Sequence, residues 1–423
     1  MTPGSGSGAT PGGRVLAVLL LAYIFNFIDR QIIGILAVPI RAEFGLSDTA
    51  LSYLGVVFGL FYSTVAIPIA WFADRRSRVN IIAAAIALWS LFTAACGVAQ
   101  SYAQLVAARM GVAIGEAGGI APSYSLIADY FPRTRRARAL AFFSLGIPIG
   151  SALGIFLGGW LIAQLGWRAA FVIVGIAGLP VALLVKLLIP EPVRGGLDEV
   201  DRKACAAAPP LRAVASVLAR SPAFWLLSFG AAFGSIPGYG LIFWLPSFFD
   251  RTFALGPGEI GLFYGSIVLV GGVAGIWLGG WAGDRLGPAR PGAYALIPAV
   301  CFLITAPCFA LGLFAPSLPA AWLLFTVGQM AALAWLGPVL SAIQHIVPPN
   351  IRATTSASFL FVNNLIGIAF GIYFLGWLSE RMKGAHGTDS LQYSILYGLG
   401  FYLLSALIYL AASARLKRDW YRG

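Results

Sequence analysis

Four ionisable side chains lie inside long apolar runs of this sequence, where a charge is expensive to bury. They are Asp29 and Arg30 in the first run, and Arg109 and Glu116 in the fourth. A carboxylate in an apolar cavity can take up and release a proton, whereas arginine stays protonated and offers a fork that suits phosphate or carboxylate. These residue types predict a buried site for an anion and a proton. The alternative is a buried ion pair that only holds helices together.

Helix geometry predicts how these side chains meet. At 1.5 Å per residue, Asp29 lies roughly 22 Å along its run and Arg109 roughly 12 Å along the opposing one, so both fall in the same half of the bilayer. We therefore expect Asp29 to hold Arg109. Glu116 lies two turns deeper on the face of Arg109, and we expect it to be the coupling carboxylate that competes for this arginine. Arg30 points about 100° away from Asp29, toward a separate contact or the membrane surface.

The composition indicates that the bilayer is the solvent. The chain has 423 residues, of which 59% are hydrophobic and 10% charged. Soluble domains are about 25% charged, so this chain cannot cover a water-facing surface and a soluble enzyme is excluded. The net charge of +12 would suggest nucleic acid in a soluble protein, but in a membrane protein it is typical of basic residues gathered on the cytoplasmic side.

Twelve apolar runs divide into six, a polar linker and six more. They cover residues 15–40, 50–73, 81–99, 101–130, 139–165 and 169–189, then 222–249, 260–282, 292–314, 318–347, 353–379 and 391–413. We expect a disordered tail at 1–13, a first bundle at 14–189, a cytoplasmic linker at 190–220, a second bundle at 221–413 and a basic cytoplasmic tail at 414–423.

The positions of lysine and arginine predict the topology. If the N-terminus is cytoplasmic, 21 of the 28 basic residues fall on the cytoplasmic side and 5 on the other, with two inside runs. This bias predicts an all-α membrane protein of twelve transmembrane helices in two six-helix bundles, with both termini in the cytoplasm. It also accounts for the net charge without nucleic acid. We expect an integral, multi-pass protein of a bacterial inner membrane.

Two loop motifs recur at equivalent places in the two halves. Ala73-Asp74-Arg75 is matched by Gly283-Asp284-Arg285, 210 residues later, and Phe131-Pro132 by Val347-Pro348, 216 residues later. The first pair resembles the signature loop of the major facilitator superfamily, which is built from two parallel six-helix repeats. The resemblance implies a cytoplasmic gate of ion pairs that closes when the protein faces outward. Its expected members are Asp74, Arg75, Arg78, Asp284, Arg285, Arg136 and Arg352.

Within that superfamily, three stretches resemble the Spinster family of lipid transporters. They are Asn26-Phe27-Ile28-Asp29-Arg30, Arg109 with Gly115-Glu116-Ala117, and Asp129-Tyr130-Phe131-Pro132. The resemblance implies a secondary transporter that moves an amphipathic anion, such as a lysolipid or a sphingolipid-like molecule, by alternating access with proton coupling. Its expected partners are that substrate, protons and membrane lipids, and we expect a monomer.

The second half has no charged residue deep in a run. Its wall of the cavity is then polar or aromatic, and the cavity candidates are Asn26 from the first half with Tyr239, Trp244, Gln329, Asn363 and Asn364. A porter for a small organic anion or a drug is an alternative. An intramembrane enzyme is less favoured because no nucleophile–base or metal-ligand set lies in a run. No GxxxxGK loop is present, and we expect no cofactor or metal.

Overall fold

The computed structural model describes residues 11–73, 75–131, 139–140, 142–192, 211–347 and 351–420, and all regular structure within these ranges is helical. In the described part, nine helical segments are long and apolar enough to cross a membrane. The predicted all-α class is confirmed. The count of twelve crossings, the cytoplasmic termini and the domain boundaries stay predictions. The predicted linker lies mostly outside the described residues, apart from one short helix.

The helices follow the predicted apolar runs closely. The first half contains α1 (Pro11–Phe44), α2 (Asp48–Ala73), α3 (Arg78–Gly97), α4 (Tyr102–Ala117), α5 (Ile120–Tyr130) and α6 (Gly146–Leu188). The short helix α7 (Leu211–Ala219) leads into α8 (Pro222–Phe253), α9 (Pro257–Leu286), α10 (Ala293–Leu313), α11 (Leu318–Leu333) and α12 (Leu336–His345). The chain ends with α13 (Arg352–Asn364), a π-helical segment (Leu365–Phe370), α14 (Gly371–His386), a 3₁₀ turn (Gly387–Asp389), α15 (Ser390–Gly398) and α16 (Gly400–Asp419).

The long helix α6 contains a sharp break that the sequence predicts. Gly166 has φ 80° and ψ 168°, a conformation that glycine adopts without steric cost. This break separates the fifth and sixth apolar runs, which end at 165 and begin at 169. The chain therefore turns here between two segments of the bundle.

Two apolar runs at equivalent places in the two halves, each expected to form a single helix, are broken in the middle; the twelfth run also divides, at Leu399, and the eleventh contains the π-helical segment. The fourth run divides into α4 and α5 at Gly118 and Gly119, and the tenth into α11 and α12 at Ala334 and Trp335. The two breaks are 216 residues apart, the same offset as the repeated Phe131-Pro132 and Val347-Pro348 motifs. The internal repeat therefore extends to the helix breaks.

Close packing of α6 on α1 fixes the helix that bears the first two buried charges. A Cβ atom on Gly150 would lie 2.5 Å from the carbonyl oxygen of Ile24, so no larger residue fits without movement of α1. Glycine faces of this kind let helix backbones approach closely in membranes. The two halves meet where α6 packs on α9, and where α2 packs on the π-helical segment.

Candidate functional site

The centre of the first half contains a buried ion pair between α1 and α4. Nε of Arg30 donates to Oε2 of Glu116 at 2.6 Å, and the side chains are 11% and 0% exposed. The guanidinium carbon of Arg30 lies 4.3 Å from the ring centre of Tyr62 and 5.2 Å from that of Phe27. The face of each ring favours the cation. Arg30 is therefore held inside the protein and does not extend to the membrane surface.

Arg109 lies beside this pair without being part of it. The residue is 2% exposed, and Nε and Nη1 of its guanidinium have no hydrogen-bond partner among the residues that the structure describes. Its guanidinium carbon lies 5.0 Å from the ring centre of Phe58. A buried guanidinium with two free donors is suited to an anion.

The predicted contact between Asp29 and Arg109 is wrong in its detail. Asp29 accepts a hydrogen bond from Oγ1 of Thr93 on α3 at 2.8 Å, and its Oδ1 has no partner. In the described part of the chain Asp29 forms no ion pair with Arg109, although the two interact electrostatically. Adjacent residues of a helix point about 100° apart, so Asp29 contacts α3 whereas Arg30 contacts α4. The expected competition of Glu116 for Arg109 is replaced by its pair with Arg30.

Asn26 lies one turn before Asp29 on α1 and is 2% exposed. Neither polar atom of its side chain has a hydrogen-bond partner. It lines a small void with Tyr23, Trp89 and Ser123, next to the break between α4 and α5. Asn26 therefore lines a small void of the first half, and its place in a substrate cavity stays a prediction.

The candidates from the second half separate into different environments. Asn363 accepts from Oγ of Ser235 at 2.7 Å and donates to Oδ1 of Asn364 at 3.3 Å, next to the π-helical segment. Tyr239 of α8 lies near enough to Arg30 to interact with its charge across the two halves. Gln329, on α11, is half-buried and packs against α9 at Gly271.

Trp244 corrects the predicted set of cavity residues. Its side chain is fully buried, and Nε1 donates to the carbonyl oxygen of Ile372 at 3.0 Å. The indole therefore joins α8 to α14 within the second half. It does not line a cavity, because its one polar atom is bonded to the backbone and its ring is enclosed.

The predicted gate region contains a set of ion pairs that we call the Arg78 cluster: Arg78, Ser125, Asp129 and Glu191. Arg78 is 2% exposed and donates to Oε1 of Glu191 at 2.9 Å, to Oγ of Ser125 at 2.9 Å and to Oδ2 of Asp129. Burial raises the pKa of Glu191, but hydrogen bonds from Val79 N–H and Arg78 outweigh it and hold that pKa below its ordinary value.

The remaining gate candidates do not form a described contact between the halves. The guanidinium of Arg285 lies over the ring of Trp281 on its own helix at 5.4 Å, and Asp284 next to it is exposed. The backbone N–H of Arg75 donates to the carbonyl oxygen of Phe72 at 3.1 Å. Asp74, Arg136 and the side chain of Arg352 lie outside the described residues. The latch between the signature loops stays a prediction.

The opposite end of the bundle contains charged residues that the sequence did not single out. We call them the Asp48 cluster: Arg41, Asp48, Arg251, Ser379 and Glu380. Asp48 is fully buried and accepts two hydrogen bonds from Arg251, at 2.7 and 3.1 Å, and one from Oγ of Ser379 at 2.8 Å. Its backbone N–H donates to Oε2 of Glu380 at 3.1 Å. In the sequence, the charged residues of this cluster resemble other charges at helix ends.

The Asp48 cluster joins the two halves directly. Arg41 and Asp48 belong to α1 and α2, whereas Arg251 belongs to α8, and Ser379 and Glu380 to α14. The small number of basic residues on this side does not single out the cluster, since Arg168, which is outside it, is one of the same five. Only the fold shows that residues about 200 and 330 positions apart share one carboxylate.

The chain is similar to known transporters over almost its whole length. Residues 19–372 match the family model described as Major Facilitator Superfamily. The chain is 33% identical over 406 residues to "MFS-type efflux pump" of Mycolicibacterium smegmatis (strain ATCC 700084 / mc(2)155), covering 96% of this chain and 93% of the relative. It is 29% identical over 432 residues to "Protein spinster homolog 3" of Danio rerio, covering 96% and 86%.

Solved structures show the same similarity. The crystal structure of a bacterial homolog to the human lysosomal transporter Spinster, in an inward-facing and unoccupied conformation, matches with a TM-score of 0.87 at 32% identity. The match covers 99% of this chain and 100% of that one. These relatives are transporters, so the intramembrane-enzyme alternative is rejected.

Proposed function

The chain belongs to the Major Facilitator Superfamily, and we propose that it is a secondary active transporter that moves an amphipathic, anionic substrate by alternating access. It is an integral, multi-pass membrane protein of Spinster type that carries a small molecule. The observation that carries the proposal is Arg109, whose buried guanidinium has two donors without a protein partner beside an aromatic ring. The donors suit a phosphate or carboxylate, and the apolar surroundings suit a hydrocarbon tail.

We propose that the coupling proton binds Glu116. Arginine stays charged, so among the buried charges of α1 and α4 only the two carboxylates can exchange a proton. When Glu116 is ionised it holds Arg30 through the 2.6 Å contact. When it is protonated the attraction is lost, and Arg30 is released toward its aromatic neighbours and toward Tyr239 of the other half. Protonation would thus change a contact at the boundary between the halves.

The proposal is tested by uptake into proteoliposomes with and without a pH gradient. A labelled lysolipid, a small organic anion and a cationic drug are offered separately. We expect the lysolipid to be moved and the gradient to increase its rate. Arg109→Lys keeps the charge but loses the fork, so it should abolish transport while the protein still folds. Near-native uptake by that variant would contradict the role given to the fork.

Glu116→Gln separates coupling from binding. The variant mimics the protonated form, so substrate binding should be retained and the pH dependence of uptake lost. Asp29→Asn should leave the pH dependence intact and strengthen binding of an anionic substrate, because it removes a negative charge that interacts with Arg109. Glu43→Gln is the matched control, since Glu43 pairs with Arg168 at the membrane surface. If Asp29→Asn alone abolishes the pH dependence, the two carboxylates have the opposite roles.

A second candidate function is efflux of a drug or a small organic anion. The observation in its favour is the Mycolicibacterium smegmatis relative, which is named an efflux pump. Uptake of the drug or the small anion, with no uptake of lysolipid, would favour this function.

We further propose a bacterial inner membrane location, cytoplasmic termini and a monomeric state. Protease access to tags at both ends of the chain in spheroplasts tests the topology.

A further inference from the structure

A cavity of about 400 Å³ lies at the Asp48 end of the bundle, between the end of α1 and the end of α8. Its polar lining residues are Arg41, Ser247, Asp250 and Arg251, with Val38 and Leu46 among the apolar ones. None of its lining residues is one of the buried charges of α1 and α4. The volume suits a small molecule or the headgroup of a larger one, since ligand pockets start at about 300 Å³.

Two guanidinium groups of this cavity share one carboxylate. Arg251 binds both oxygens of Asp48, at 2.7 and 3.1 Å. Arg41 is held more loosely, with Nη1 3.5 Å from Oδ1 of Asp48 and Nε donating to the carbonyl oxygen of Leu46 at 3.3 Å. The side chain of Arg41 is 34% exposed. Each arginine has five N–H donors, so donors remain for a second oxyanion.

Asp250 opposes an anion in the same cavity. It lies close enough to interact electrostatically with both Arg251 and Arg41, yet no ion pair of Asp250 is found in the described residues. The charges of the cavity therefore balance, with two arginines against Asp48 and Asp250. The two arginines attract an entering oxyanion and Asp250 repels it. The oxyanion should therefore bind weakly and be released quickly.

We propose that this cavity is an oxyanion-binding vestibule in which Arg41 and Arg251 hold a phosphate or carboxylate group. The bound group competes with Asp48 for these arginines, and so loosens the contact between the two halves. Binding at the vestibule is independent of which molecule is transported. Its use as a point of substrate entry or exit rests on the proposed transport.

Calorimetric titration of the full chain with inorganic phosphate, in nanodiscs of phosphatidylcholine, tests binding. We expect weak, saturable binding that Arg41→Gln reduces about tenfold, the size of one charge-assisted contact. Asp250→Asn should tighten binding several-fold, a gain that misfolding cannot produce. Arg168→Gln is the matched control, because Arg168 lies at the same end of the bundle, pairs with Glu43 and does not line the cavity. The absence of saturable binding in Asp250→Asn, or an equal loss in Arg168→Gln, would overturn the proposal.

A second lipid composition separates the sources of the oxyanion. If lipid headgroups occupy the site, nanodiscs with phosphatidylglycerol will lower the apparent affinity for phosphate, whereas a site for soluble anions will be unaffected.

Spin labels at the start of α2 and the end of α14 test the competition with Asp48. Phosphate should lengthen this distance in the wild type and not in Arg41→Gln, and an unchanged wild-type distance would reject the competition. If phosphate still binds but no substrate is transported, the proposed transport is refuted and the vestibule is not.

Discussion

The two ends of the bundle use charge differently. In the Asp48 cluster, one fully buried carboxylate from α2 binds Arg251 of α8 and Ser379 of α14, so its contacts cross from the first half to the second. In the Arg78 cluster, the described partners of Arg78 are on α5 and just after α6, and all belong to the first half. One cluster fastens the halves together, and the other fastens helices within a half.

The Asp48 end is held closed by contacts between the two halves. Contacts between halves that exist in one state must be broken in the other, whereas contacts within a half can persist throughout. The Asp48 cluster is therefore the contact that opening of this end must break.

The largest expected effect is that of Asp48→Asn. The variant removes the shared negative charge and leaves Arg251 and Arg41 without their carboxylate. We expect the open-to-closed ratio at this end to rise roughly thirtyfold, which corresponds to about 2 kcal/mol. Distances between spin labels at the start of α2 and the end of α14 measure the ratio. Glu43→Gln, whose partner Arg168 is in the same half, should leave the distances unchanged.

A smaller effect, of another kind, is expected for Arg78→Gln. Asp129 and Glu191 keep some exposure, 12% and 31%, so the loss of their shared cation should cost about 1.5 kcal/mol of stability, less than the loss of a partner from a fully buried pair. The loss should appear in thermal unfolding and leave label distances between the halves unchanged. A shift of those distances without a loss of stability would remove the distinction between the two clusters.

The smallest effect is expected for Glu191→Gln, at roughly 0.5–1 kcal/mol, because Glu191 is partly exposed. The pKa of Glu191 in the folded protein lies below its ordinary value, so the carboxylate stabilises the fold above that ordinary value. The contribution is lost as the pH falls through the depressed pKa. Unfolding of the wild type and the variant should therefore differ at pH 7 and converge in acid. An equal difference at both pH values would contradict the assignment.

The sequence was sufficient for the fold class and for the residues at the centre of the first half. Apolar runs and repeated loops indicate the architecture because the bilayer forces backbone hydrogen bonds into helices. Asp29, Arg30, Arg109 and Glu116 could be found since charges inside apolar runs are rare. The partners of these four residues could not be predicted, because they depend on how α3 and α4 pack against α1.

The Asp48 cluster shows a different limit. Asp48 and Arg251 are at helix ends, where most charges are solvated, and nothing local distinguishes them from Glu43 or Arg168. Their burial follows from the approach of the two halves, which joins positions 203 residues apart. Trp244 was misassigned for the same reason, since an indole in an apolar run can face a cavity or the core with the same sequence pattern.

The paired breaks at Gly118–Gly119 and Ala334–Trp335 have a mechanical consequence. An unbroken helix is a stiff rod that transmits any tilt along its whole length, whereas a rod with a joint confines the tilt to one segment. In the first half, α5 contains Asp129 of the Arg78 cluster, and α4 contains Arg109 and Glu116. Because the helix is interrupted between α4 and α5, a tilt of α5 need not be transmitted to the buried charges of α4. The equivalent interruption between α11 and α12 gives the second half the same property.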